Sequence, residues 1–110
     1  SAASDVYKRQ VIRDSNQTTE NLTELRRQID GIDEQLLELL AKRMRISREI
    51  GVYKKEHNMP ILQSPRYSEI LEKRSNMGEQ MDLSTDFVKE ILKEIHEESV
   101  RQQMIIMNEQ

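Results

Sequence analysis

Residues 39–58 read LLAKRMRISREIGVYKKEHN, and they place an arginine on a helix face that is otherwise apolar. This face is a heptad seam whose members alternate at spacings of three and four, as in a long amphipathic helix. A buried guanidinium costs several kcal/mol unless an anion or a carboxylate meets it, so the arginine requires a partner. The seam consists of Leu22, Leu25, Ile29, Ile32, Leu36, Leu39, Arg43, Ile46, Ile50 and Tyr53.

The composition limits the class of protein. The chain has 110 residues, of which 35% are hydrophobic and 4% aromatic, so it has little material for a core of its own and oligomerisation is expected. A net charge of −3 is not the electrostatic footprint of a nucleic-acid-binding protein. There is no cysteine, no apolar run that could span a bilayer and no signal-peptide core in the first 25 residues. We therefore expect a cytoplasmic protein that binds neither nucleic acid nor membrane.

The sequence divides into an N-terminal tail and one helical domain. Residues 1–21 lack helical and strand periodicity, which predicts a disordered tail or linker, and residues 1–10 resemble a non-native cloning scar. Residues 22–107 contain no segment that alternates with period two, which predicts an all-α domain. Its three predicted helices run from about Thr23 to His57, from Ser64 to Gly78, and from Ser84 through Ile106.

Capping and breaking residues set these boundaries. Asn21 or Thr23 can cap the first helix, and Pro60 stops it. Pro65 suits the first turn of the second helix, and Gly78 can terminate it. The first helix would be roughly 50 Å long, which exceeds the width of so small a domain. Such a helix needs a partner chain.

The third predicted helix also carries polar residues on its apolar stripe. Ser99 and Gln103 are four residues apart and therefore share a face. If the helices pack together, we expect both to line one internal pocket with Arg43. No seam residue is acidic, so an anionic ligand is a better partner for Arg43 than a protein carboxylate.

Three further cations support an anion-binding pocket. Arg26 and Lys54 each follow a seam residue and are 28 residues apart, a whole number of heptads, so they border the same face. Arg66 can close the pocket from the first turn of the second helix. Four other bases on the long helix are interpreted as a solvated face balanced by glutamates. They are Lys42, Arg45, Arg48 and Lys55.

Other chemistries lack their motifs. His57 and His96 have no companion at metal-ligand spacing, so we expect no metal site. There is no glycine-rich phosphate loop and no pair of a nucleophile with a base.

Three segments together resemble one family, the all-helical (type II, AroQ-class) chorismate mutases. They are LRRQIDGIDEQLLELLAKR from residue 25, IGVYKKEHNMPILQSPR from residue 50 and ESVRQQ from residue 98. The resemblance implies an intertwined homodimer of three-helix chains that converts chorismate to prephenate by a Claisen rearrangement without a cofactor. It also implies that six residues contact the substrate, namely Arg26, Arg43, Lys54, Arg66, Ser99 and Gln103.

Two positions depart from the best-known form of the family motif. Gln63 stands where an aspartate is common, and Tyr67 stands where a glutamate often receives the ring hydroxyl of the substrate. The backbone N–H of Gln63 or the phenol of Tyr67 is a hypothetical replacement. The segment QSPRYSEIL, from residue 63, also resembles mutase domains fused behind a DAHP synthase, which predicts a fused or docked synthase as a partner.

The resemblance assigns roles that suit a reaction without proton transfer. Arg26 and Arg43 hold the two carboxylates of chorismate, with Ser99 assisting, and Lys54 and Gln103 donate hydrogen bonds to the ether oxygen as its bond breaks. Because Arg26 and Arg43 are 17 residues apart, about 25 Å along one helix, they cannot hold one small molecule in the same chain. Arg26 is therefore expected to reach the pocket of the partner chain.

Two alternatives remain open at the level of sequence. An isochorismate pyruvate lyase shares the fold and the type of substrate, and the complete set of residues through Gln103 favours the mutase without excluding the lyase. A non-catalytic helical dimer could instead regulate a fused synthase, in which case Arg43→Ala would leave its function intact.

Overall fold

The computed structural model describes residues 15–62 and 64–109, which form three α-helices. They are α1 (Ser15–Glu56), α2 (Ser64–Gln80) and α3 (Thr85–Asn108). The described part of the chain contains no β-strand, which confirms the all-α prediction. None of the described helices is long and apolar enough to cross a membrane.

Helix α1 begins earlier than its amphipathic pattern suggested. The predicted start near Thr23 is wrong, because the helix already includes Ser15, so residues 15–21 of the predicted disordered tail or linker are helical. Thr23 is not an N-cap, because it lies inside the helix, where its hydroxyl donates to the carbonyl of Thr19 at 2.9 Å. Residues 15–22 contain neither proline nor glycine, so an existing helix extends through them at little cost without an apolar stripe. Residues 1–14 lie outside the described part of the chain.

The end of α1 and the start of α3 agree with the predicted signals. Asn58 adopts a left-handed conformation with φ of 52°, and Met59 N–H donates to the Lys54 carbonyl at 2.8 Å, which is the pattern of a Schellman cap. Ser84 is the N-cap of α3, and its hydroxyl accepts from the N–H of Phe87 at 3.4 Å.

Gly78 does not terminate α2, contrary to prediction. The helix continues to Gln80, and the left-handed residue that ends it is Asp82, with φ of 62°. The Gly78 carbonyl accepts from Leu83 N–H at 2.9 Å in this cap. The glycine is needed for packing, because a Cβ atom there would lie 2.7 Å from Cγ2 of Val88. Gly78 thus allows α2 and α3 to approach closely.

The described part of the chain forms two compact units, which meet in sequence between residues 40 and 41. In the first unit, the described seam residues of α1 are exposed. In the second unit, the end of α1 is hydrogen-bonded to α3, α2 packs against α3, and the buried side chains are polar. No large apolar side chain of the described residues is buried. The buried polar residues are Ser47, Lys54, Ser75, Ser99 and Gln103.

Candidate active site

A cavity of about 320 Å³ lies within the second unit, between the end of α1, the start of α2 and the face of α3. Five aliphatic residues form its apolar wall, namely Ile46, Ile50, Ile61, Ile70 and Val100. Six of the eight predicted site residues line it, namely Arg43, Lys54, Arg66, Tyr67, Ser99 and Gln103. Most of the predicted site is therefore assembled within one chain.

Two predicted residues are not among the described residues that line this cavity. Arg26 is an exposed residue of α1 in the first unit, whereas the cavity lies wholly in the second. Gln63 lies outside the described residues, and its role stays a prediction.

Arg43 is held by hydroxyl groups rather than by a carboxylate. Its Nη1 donates to Oγ of Ser99 at 2.8 Å, and Oγ of Ser47 donates to the same oxygen at 3.1 Å. Burial, and then the charge of Arg74, lowers the pKa of Arg43. No ion pair joins Arg43 to any acidic residue in the described ranges. A fixed guanidinium without a carboxylate partner is suited to bind a carboxylate of a ligand.

Lys54 and Gln103 form a second polar contact across α1 and α3. The Lys54 ammonium donates to the Ile61 carbonyl at 2.7 Å and to Oε1 of Gln103 at 3.1 Å, and burial lowers its pKa. Because an ammonium can only donate, this contact fixes the orientation of the amide and leaves Nε2 of Gln103 as a free donor. Gly51 permits the contact, since a Cβ atom there would lie 3.2 Å from Cα of Gln103.

His96 and Ser47 also line the cavity, although neither was predicted from the sequence to be a site residue. The His96 ring stacks on Tyr67, with ring centroids 3.9 Å apart and planes inclined by 19°. Helical spacing could have predicted both residues. His96 precedes Ser99 by three residues and Ser47 follows Arg43 by four, so each lies on the same helix face as a predicted site residue.

The electrostatics of the cavity favour a small anion. Three cationic side chains line it, from Arg43, Lys54 and Arg66, and none of its described lining residues is Asp or Glu. In addition, no three His, Cys, Asp or Glu residues of the described ranges lie close enough together to hold a metal ion. The cavity volume suits one small molecule. The arrangement can fix two carboxylates and donate hydrogen bonds between them.

The fold and the site together define a class of protein, an all-helical domain with an internal cavity lined by cations. The model of the family "chorismate mutase type II" matches residues 25–104 of the chain. The chain therefore belongs to this family. The family membership expected from the three quoted segments is thereby confirmed.

Curated relatives agree with this assignment. The chain is 36% identical over 78 residues to the T-protein of Enterobacter agglomerans, covering 71% of this chain and 21% of that protein. It is 34% identical over 88 residues to a bifunctional chorismate mutase/prephenate dehydratase of Buchnera aphidicola, covering 80% and 23%. The protein of that same name in Escherichia coli K12 is 31% identical over 93 residues, covering 84% and 24%. The chain thus spans between a fifth and a quarter of the length of these relatives.

Proposed function

We propose that this domain catalyses the cofactor-free Claisen rearrangement of chorismate to prephenate in the biosynthesis of aromatic amino acids. The observation that carries the proposal is the cavity of about 320 Å³, lined by three cations and by no described acidic side chain. Chorismate is a dianion of suitable size, and its rearrangement moves no proton. The reaction therefore needs bound geometry and electrostatic stabilisation rather than an acid, a base or a nucleophile.

The carboxylate clamp reduces the freedom of the substrate. Arg43, fixed by Ser99 at 2.8 Å, takes one carboxylate in a bidentate contact, and Arg66 adds positive charge from α2. Holding both carboxylates folds the enolpyruvyl arm over the ring in a reactive, chair-like shape. Much of the entropic cost of reaching the transition state is then met on binding.

The transition state is stabilised at the ether oxygen. Negative charge develops there as the C–O bond breaks, and the Lys54 ammonium with the Nε2 amide of Gln103 donates to it. The 3.1 Å contact between these two side chains supports the assignment, because it directs the carbonyl of Gln103 to Lys54 and keeps the amide N–H for the substrate.

A homodimer with shared sites completes the proposal. The seam of α1 is largely exposed in one chain, from 44% at Leu22 to 66% at Leu39, so burial against a second α1 gives a strong driving force for association. Arg26 would then supply the second carboxylate clamp to the cavity of its partner. A fused or docked DAHP synthase stays a prediction; the names of the Buchnera and Escherichia relatives give prephenate dehydratase as their second activity.

Product analysis tests the proposed reaction. The purified chain is incubated with chorismate and, separately, with isochorismate, and the products are identified by NMR. We expect prephenate from chorismate and no pyruvate from isochorismate. Pyruvate release from isochorismate without prephenate formation would instead support the lyase, and the absence of both reactions would support a non-catalytic module.

A further inference from the structure

The cavity is rich in hydrogen-bond donors and poor in acceptors. Arg43, Lys54 and Arg66 can only donate. The side-chain oxygen of Gln103 already accepts from Lys54, and that of Ser99 accepts from Arg43. A hydroxyl group on a bound ligand must also donate its proton to an acceptor, or lose a hydrogen bond that water supplied. The question is which lining group accepts it.

His96 offers the most suitable acceptor on a lining side chain. Neither of its ring nitrogens bonds to another described residue, and the ring is partly accessible. Ser47 is 5% exposed and already engages Ser99, so its oxygen is harder to reach. The remaining rival is the phenol of Tyr67, which is itself partly accessible.

The stack on Tyr67 fixes the plane of the imidazole. With centroids 3.9 Å apart and planes inclined by 19°, the two rings cover each other's faces, and the in-plane lone pair of the imidazole is left at the ring edge. His96 also lies one helical turn before Ser99 on α3, which puts it on the face that carries the catalytic donors.

Burial and the neighbouring cations favour the neutral form of His96. Burial first, and then the cations Arg43 and Lys54, lower its pKa, while Glu97 on its own helix acts in the opposite direction. From α2, Arg66 and Tyr67 line the same cavity. A neutral imidazole has one acceptor nitrogen, whereas an imidazolium has none.

We propose that His96, positioned by its stack on Tyr67, accepts the hydrogen bond of the ring hydroxyl of chorismate and selects hydroxylated substrate. This inference rests on the proposed function. His96 is then a specificity-determining residue and Tyr67 a positioning residue. The recognition needs no carboxylate, which suits a cavity whose described lining residues include none.

The test compares chorismate with an analogue that lacks only the ring hydroxyl. The measured quantity is the substrate preference, defined as kcat/KM for chorismate divided by kcat/KM for the analogue. It is compared between wild type and variants, so any difference in intrinsic reactivity between the two compounds cancels. His96→Phe keeps a ring for the stack and removes the acceptor, and its preference should fall about tenfold. His96→Gln restores an acceptor and should recover part of the preference. Tyr67→Phe keeps the stack without the phenol and should retain the preference.

Each other outcome contradicts the inference in a recognisable way. If His96→Phe is folded by circular dichroism and keeps the wild-type preference, His96 does not bind the hydroxyl, although the mutase activity stands. If Tyr67→Phe loses the preference instead, the acceptor is the phenol. If wild type forms no prephenate at all, the proposed function fails and this inference fails with it.

Discussion

Nζ of Lys54 on α1 donates to Oε1 of Gln103 on α3 across 3.1 Å, and Lys54 is 9% exposed. The contact joins two residues that are 49 positions apart in sequence. It places an ammonium and a primary amide side by side on the wall of the cavity, and it fixes which end of the amide faces the substrate. In the proposed mechanism, this pair donates to the ether oxygen of the breaking bond.

Gln103→Glu should make hydrogen-bond donation from position 103 to the ether oxygen depend on pH. An amide donates at any pH, whereas a glutamate donates only when it is protonated, and its ionised form repels the charge developing on the ether oxygen. Lys54 would lower the pKa of such a glutamate, and burial and the substrate carboxylates would raise it. The activity of the variant relative to wild type should therefore rise as the pH falls from about 8 to 5.

The measurement is kcat/KM for chorismate in both proteins at each pH, with folding checked by circular dichroism. Taking the ratio removes any effect of His96 titration, which both proteins share. Equal activity of variant and wild type at pH 7.5 would show that Gln103 is not the donor to the ether oxygen.

Arg43→Lys should lower kcat/KM by about 10- to 100-fold, because an ammonium keeps the charge but cannot form the paired contacts of a guanidinium. Arg48→Lys is a matched control on the same helix: Arg48 donates to Gln102 at 3.2 Å and does not line the cavity. The measurement is kcat/KM for chorismate in the two variants, from steady-state kinetics. Similar small losses in both would mean that Arg43 does not clamp a carboxylate.

Gly78→Ala should destabilise the domain by about 1–3 kcal/mol, because the new Cβ atom would meet Val88 Cγ2 at 2.7 Å. Gly31→Ala is the control: nothing lies within 4 Å of its Cβ position, so its greater helix propensity should stabilise α1 by up to about 1 kcal/mol. Urea unfolding measures both. Recovery of stability in Gly78→Ala combined with Val88→Ala would confirm the clash, and an unchanged midpoint in Gly78→Ala would exclude it.

The sequence predicted the features that repeat with helical period. The seam predicted α1, Pro60 predicted where it stops, and the polar interruptions at Arg43, Ser99 and Gln103 indicated the cavity, because a polar group on an otherwise apolar helix face needs a partner. The start of α1 was missed because a solvated extension of a helix needs no apolar face. His96 was also missed: in the sequence a lone histidine at helical spacing resembles any solvated one, and its stack on Tyr67 depends on how α2 and α3 pack.

The proposed homodimer implies that the stability of the fold depends on protein concentration. The exposed seam includes Leu36, at 55%, so folding and association should be coupled, and Tm should rise as the concentration is raised a hundredfold. Leu36→Asp should abolish both the dimer and the folded state, since it puts a carboxylate into the seam. Ala41→Asp, an exposed position off the seam, should preserve both. Sedimentation with circular dichroism reports the result, and a well-folded monomer would contradict the shared-site arrangement.

In the proposed dimer, the cavity around Arg43 is a mutase site that Arg26 of a second chain completes. Mixing two inactive variants tests this arrangement. Arg26→Ala and Arg43→Ala homodimers each lack one clamp in both sites, so each should be nearly inactive. In a mixed dimer one site carries both lesions and the other carries neither. After unfolding and refolding together at equal amounts, half of the dimers should be mixed, and prephenate formation should return to about a quarter of the wild-type rate. A contaminating mutase cannot produce this result, because it would also be present in the separate preparations. No recovery, with mixed dimers shown to form, would contradict the claim that Arg26 acts across the interface on the site of Arg43.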